Sequence, residues 1–196
     1  MVPRWNRRNR DGFTFTEIVL GAMVLAIAIA AILGAYVGQI TLNEHARNLS
    51  LAIHDANRVI EQIRQNNTTC GNAPTAQPPS GTVLNNGFEI GWDNWLATAG
   101  GGRSLPPGPA GNELVVATCQ NRNGIVVSCA APPSGTDPLR VTVAVCWRHR
   151  ERTIGECTWN AGTSTLTPND AVVVAADTAS VIDSPAMLTT LVTCRG

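Results

Sequence analysis

Residues 12–37 read GFTFTEIVLGAMVLAIAIAAILGAYV. From Ile18 to Val37 run 20 residues without a formal charge. Wound as an α-helix at about 1.5 Å per residue they reach roughly 30 Å, the thickness of one bilayer core. The run is too long for an ordinary secretory signal, and no A-x-A cleavage pattern follows it. Glu17 stands at its start. A carboxylate there is costly unless it is paired or lies at the membrane interface.

Working back toward residue 1, residues 1–12 read MVPRWNRRNRDG, with four Arg and one Asp, a net charge of +3. The remainder carries ten Arg against thirteen acidic residues, a net −3, because the whole chain has 14 of each and no Lys. Basic charge beside the first apolar run holds that flank in the cytoplasm and predicts an N-in, C-out orientation.

The basic leader, the hexapeptide Gly12-Phe13-Thr14-Phe15-Thr16-Glu17 and the long apolar run together resemble the prepilin processing site of type IV pilins and type II secretion pseudopilins. The resemblance implies a membrane prepilin peptidase that cuts between Gly12 and Phe13 and methylates the new amine of Phe13. Glu17 then becomes the fifth residue, where the family carries a Glu. Asp11 departs from the pattern, since a basic residue often precedes the Gly. A free amine at Phe13 is cationic near neutral pH. In a bundle of such helices Glu17 can pair with the Phe13 amine of a neighbour. Because a buried unpaired charge is heavily penalised, the pairing would set axial register.

Outward on the other side the chain turns amphipathic. Leu42, Ala46, Leu49, Ile53, Ala56, Ile60 and Ile63 step by 4 and 3 alternately, a helical stripe, with Glu44, Arg47, Asp55, Arg58, Glu61 and Arg64 elsewhere around the helix. One helix is therefore predicted from Phe13 to Asn66: a membrane-spanning part over 13–38 and an amphipathic part over 39–66 that packs on a sheet. Gly34 and Gly38 weaken the joint between them. Asn66-Asn67-Thr68-Thr69 ends it. His45 and His54 lie nine apart, which is not the spacing of a helical metal pair, and read as surface residues.

Composition narrows the remaining classes. With charged residues at only 14%, the chain is neither a disordered polyelectrolyte nor a generally basic nucleic-acid binder. Its six Cys, at successive spacings of 49, 10, 17, 11 and 37, contain no C-x-x-C pair. That disfavours zinc and points to disulfides formed in an oxidising compartment. Residues 67–112, rich in Gly, Pro, Asn and Thr, read as a loop-rich connection. The string PPSGT at 78–82 recurs at 132–136 and reads as turn chemistry. The Gly run at 100–102 has no Walker lysine beside it.

Residues 113–196 read as a β-rich head. Strands are predicted at 113–119, 125–129, 139–147, 153–159 and 185–194. Val141, Val143, Val145 and Trp147 share one face. A hairpin turning at Glu151-Arg152 places Cys146 opposite Cys157, close enough for a disulfide. A symmetric hairpin through 121–124 puts Cys119 and Cys129 out of register. Six Cys allow 15 connectivities, so the map stays open. Pilins often pin their C-terminal region with a disulfide, and the resemblance favours Cys194 bridged to Cys70.

Two features of the head are candidate binding residues. In an extended strand Arg148, Arg150 and Arg152 would lie on one face, able to contact nucleic-acid phosphates or to serve as a solvated edge that discourages strand addition. Trp92 and Trp95 flank Asp93-Asn94 and form either a sugar or partner platform or part of the core. No G-x-S-x-G elbow or H-E-x-x-H motif occurs, so no enzyme is expected, nor any cofactor or metal. The strand with Cys146-Trp147-Arg148, its basic tip, the segment Ser184–Leu191 and the helix segment Ala56–Arg64 resemble minor pilins of the V family. The expected fold is thus α+β of the type IV pilin kind. The expected function is structural: a minor pilin of a type IV pilus. A type II secretion pseudopilin and a membrane-anchored extracytoplasmic binding module are the alternatives. The resemblance implies inner-membrane lipid, prepilin peptidase and other pilin or pseudopilin subunits as partners. It also implies passage from the inner membrane to a filament reaching the cell surface.

Overall fold

The structure is a computed structural model and describes residues 14–68, 73–78, 82–83, 88–98, 112–169 and 183–194. The contacts divide the chain into two units, meeting at Ala46 and Arg47. Helix α1 (Phe15–Asn66) has 52 residues. It is unbroken through Gly34 and Gly38. In the first unit the uncharged run from Ile18 to Val37 is exposed all round. By length and composition it can cross a membrane once.

In the second unit α1 buries Ala52, Asp55, Ala56, Val59, Ile60 and Ile63. The sheet-facing stripe is therefore narrower and rotated relative to the sequence reading. Leu49 and Ile53 are only half-buried at its margin, while Ala52 and Val59 join its centre. Small side chains at 52 and 56 let the helix backbone come close to the sheet. Asp55, expected on the solvated side, is fully buried, with its Oδ1 3.9 Å from Arg58 and 4.0 Å from His54. Asn67 closes the helix. Its Nδ2 donates to the carbonyls of Ile63 and Thr75, each at 2.6 Å, and its Oδ1 accepts from the Thr75 amide at 2.7 Å.

Among the described residues, seven strands form one antiparallel sheet. They are β1 (Thr82–Val83), β2 (Phe88–Ile90), β3 (Glu113–Gln120), β4 (Val126–Val127), β5 (Leu139–His149), β6 (Arg152–Ile154) and β9 (Met187–Val192). The long β5 is the axis of this sheet. It pairs with β3 along one side and with β9 and β6 in succession along the other. A separate hairpin joins β7 (Cys157–Asn160) to β8 (Thr165–Pro168). Alternation assigns the faces. Val141, Val143, Val145 and Trp147, with Val115, Ala117 and Cys119 of β3, form the core with α1, as expected. The opposite face carries Leu114, Val116, Ala144 and Cys146, which pack with Cys157, Leu166 and Trp159 of β7–β8. Burial on both faces explains the uninterrupted apolar run Leu114–Ala117 within β3. This α+β architecture, a long N-terminal helix and an antiparallel sheet, agrees with the expected pilin fold.

Three expectations change. Residues 67–112 are not simply loop, for their described parts include β1, β2 and the helix α2 (Trp92–Thr98). The i, i+4 pair Trp92 and Leu96, both buried, is the sequence signal for that helix. Second, the predicted strand 153–159 is two pieces. Its hairpin turns at Arg150-Glu151, with register Trp147↔Ile154 and His149↔Arg152, one residue earlier than expected. One step further along this register Cys146 meets Gly155, where φ is +94°, and the chain then leaves for β7. Cys146 and Cys157 still form the expected disulfide, with Cα atoms 6.2 Å apart. Third, Cys119 and Cys129 are bridged despite their register. Cys119 lies opposite Val127, as a hairpin requires, but β4 stops there. The chain then bends at Cys129 and Ala130, where the Ser128 hydroxyl accepts the amides of Ala130 and Ala131, and Cys129 lies 5.3 Å from Cys119, Cα to Cα. Cys194 is disulfide-bonded, and Cys70 lies outside the described residues.

Gly155 is the joint between the two sheets. A Cβ there would stand 2.8 Å from the Cys146 Sγ, and the positive φ is itself unfavourable for any side chain. Gly155→Ala is expected to cost about 2–4 kcal/mol. The measurement is the urea midpoint of the detergent-solubilised chain by far-UV circular dichroism.

Candidate functional site

The first region of interest is the start of α1. Gly12 and Phe13, the expected cleavage and methylation positions, lie outside the described residues. Thr14 immediately precedes α1. Its amide donates to Glu17 Oε2 at 3.0 Å and its hydroxyl to the same oxygen at 3.1 Å. In return the Thr14 carbonyl accepts the amides of Glu17 at 3.0 Å and Ile18 at 3.3 Å. This is one half of a capping box: the Glu17 carboxylate caps the Thr14 amide, while the Thr14 hydroxyl donates to that carboxylate instead of accepting the Glu17 amide. The T-x-x-E spacing carried that signal in the sequence, beside the pairing expected of Glu17. The two roles fit together. Capping fixes the carboxylate at the helix start, where a neighbouring cation can meet it, and its negative charge complements the helix dipole.

The second region is the β5–β6 hairpin. Arg148, Arg150 and Arg152 do not share a face. Residues 150 and 151 are the turn itself, so the two-residue alternation stops at His149. Arg152, opposite His149, shares the α1-facing side of the hairpin with Trp147 and Ile154. Arg148, opposite Thr153, points to the other side, where its guanidinium carbon lies 4.3 Å from the centroid of the Trp159 ring. That is cation–π range. Arg150 and Arg152 are exposed. His149 is half-buried, with Nδ1 3.1 Å from Asn48 Nδ2 of α1. That contact joins residues 101 apart in the chain, so periodicity could not reveal it.

The turn is a two-residue loop with φ of +47° at Arg150 and +67° at Glu151. Such hairpin turns favour Asn-Gly because both positions need positive φ. Here two bulky charged residues occupy them.

Trp92 is fully buried, and Trp95 is half-buried beside it, edge-on at 84° with centroids 5.5 Å apart. These two indoles are therefore part of the core around α2 and do not make an exposed platform. One cleft of about 260 Å³ lies between the last turn of α1 and the end of β9. Arg64 lines it and donates to Thr190 Oγ1 at 2.8 Å.

Comparison of the chain with protein-family models, with curated proteins and with solved structures found no match in any of the three.

Two substitutions check the assignments made above. Trp92→Ala is expected to destabilise by about 3–5 kcal/mol, as for a core aromatic. Glu151→Gly is expected to stabilise by about 1 kcal/mol through relief of the left-handed turn position. Both are read from denaturation midpoints. A Trp92→Ala chain of unchanged stability would return that residue to the surface.

Proposed function

We propose that this chain is a structural subunit of the type IV pilin class, a minor pilin that is inserted in the inner membrane, processed and assembled through its N-terminal helix. The observation that carries the reading is the division of α1. Its first part is apolar and exposed on every side, while its later part buries one stripe against a sheet. A soluble domain has no use for the first arrangement. A subunit that exchanges lipid for the helices of its neighbours does, because both surroundings are apolar.

Each end of the exposed segment has a matching role. The Arg-rich leader holds the N-terminus in the cytoplasm until the peptidase cuts between Gly12 and Phe13. Glu17, fixed in the first turn by Thr14, then accepts the Phe13 amine of an adjacent subunit. Once both groups leave water, an unmatched carboxylate is penalised strongly, so subunits that are out of register are rejected. The head carries the disulfides Cys119–Cys129 and Cys146–Cys157, which suit an oxidising compartment outside the cytoplasm.

The test is the intact mass and N-terminal sequence of the membrane-extracted protein, with and without its prepilin peptidase. The expected product starts at Phe13 and carries one methyl group. Because the sequence has no Lys, an amine-reactive reagent reports on the N-terminus alone. A start at Met1 beside an active peptidase would overturn the subunit reading and leave a permanent anchor. Glu17→Ala is expected to be processed normally yet to enter filaments about tenfold less or worse.

A further inference from the structure

Among the described residues the outer strands of the sheet differ in what they offer. β1 and β4 are two residues long, and β6 is three, one of them Arg152. β9 runs for six residues, Met187–Val192, in unbroken register with β5 and with no charge, proline or bulge. Those are the devices by which sheet edges avoid pairing with other chains. The side chains that β9 exposes are apolar at both ends, Met187 at 39% and Leu191 at 61%.

The backbone of β9 has a definite outward set. The Ala186 carbonyl accepts the Val145 amide at 3.0 Å, one step beyond the Ala144↔Met187 pair. Bonded and non-bonded pairs alternate along an antiparallel ladder. Leu188, Thr190 and Val192 therefore bond to β5, whereas Met187, Thr189 and Leu191 turn their amides and carbonyls to the outer edge. The same three residues carry side chains that face away from α1, since Leu188 and Val192 pack with the α1 core. This set is its own complement. In antiparallel pairing with a second β9, Thr189 meets Thr189, and Met187 meets Leu191 at either end. All three outward residues are then engaged, through about six backbone hydrogen bonds, and no charge opposes a charge. Apolar pairs and a Thr–Thr pair are favourable cross-strand neighbours.

We infer that β9 is the site at which two copies of this chain join edge to edge, by antiparallel pairing about a two-fold axis at Thr189. A single strand pair is a small interface of the transient kind. The two-fold axis reverses directions in the plane of the sheet. α1 runs from Asn48, bonded to His149 at the end of β5, to Arg64, bonded to Thr190 of β9, so this stretch of helix has opposite senses in the two copies. Stems inserted N-in beside one another share one sense. The contact therefore joins chains of separate assemblies, and it stands whether or not the stem is a filament core.

The experiment is cysteine substitution in the full detergent-solubilised chain, oxidised with copper phenanthroline, with linked peptides identified by mass spectrometry. Thr189→Cys sets like residues opposite one another, with Cα atoms about 5.5 Å apart, inside disulfide range. Leu191→Cys alone sets them four steps apart, about 14 Å. Linking at 189 is expected to exceed linking at 191 roughly tenfold or more. A mixture of Met187→Cys and Leu191→Cys chains is expected to give the mixed dimer. Leu191→Lys added to Thr189→Cys is expected to lower linking about tenfold, by placing a charge on the edge. An unchanged urea midpoint shows that each variant is folded. Equal linking at 189 and 191, or linking that Leu191→Lys leaves unchanged, overturns the inference and assigns the contact to collision through the stems. Absence of linking also overturns it. If the amides of Met187, Thr189 and Leu191 then exchange slowly at every protein concentration, the edge belongs to a segment of the same chain.

Discussion

The head is organised by one contact: the face of α1 formed by Ala52, Ala56, Val59 and Ile63 against the odd-numbered residues of β5, from Leu139 to Trp147. Burying a side chain of the size of Val or Ile contributes about 1.5–3 kcal/mol, and the two alanines add little area but allow close approach. The contact sets which face of β5 looks inward. Every register follows from that choice, because shifting a strand by one residue would turn its valines away from the helix. It also confines the helix to a single buried stripe over its later part.

The second face of the sheet depends on chain geometry more than on pattern. Gly155 lets the chain break away from β5 within reach of Cys146, and the Cys146–Cys157 disulfide holds the departing β7–β8 hairpin over Leu114, Val116 and Ala144. A second small core results, closed by Leu166 and Trp159. The Cys119–Cys129 bridge and the Asn67 hydrogen bonds act in the same way on the helix side. They fasten segments that have little regular structure of their own, and the amide of Ala76 donates to the Cys129 carbonyl at 2.9 Å where those segments meet. These tethers suit a head with a modest core, in which long connections must be ordered at an entropic cost.

Surface chemistry divides along the same line. The first part of α1 is written for an apolar environment on every side, and its capped start presents a carboxylate there. The head presents charge at the hairpin tip instead. Within the second unit, Asn48 of α1 bonds to the hairpin at His149.

The stem was legible in the sequence because its signals are local. Twenty uncharged residues, a 4–3 apolar step and a basic flank each state a physical preference within a short window. The central strand β5 was legible for the same reason, through strict alternation of Val141, Val143, Val145 and Trp147. The sequence also brought Cys146 and Cys157 together, although through a register that the structure does not adopt, since two wrong steps in the hairpin were offset by the turn at Gly155. What only the tertiary structure decided are the non-local matters. Asp55 is buried because helix rotation is set by the sheet, not by the stripe's own average. Trp92 is core because α2 folds beneath the head. The three arginines part company because the turn falls at Arg150-Glu151, one residue before the turn expected at Glu151-Arg152. Local periodicity records what each segment prefers to bury; which neighbour it meets is settled only when the whole chain packs.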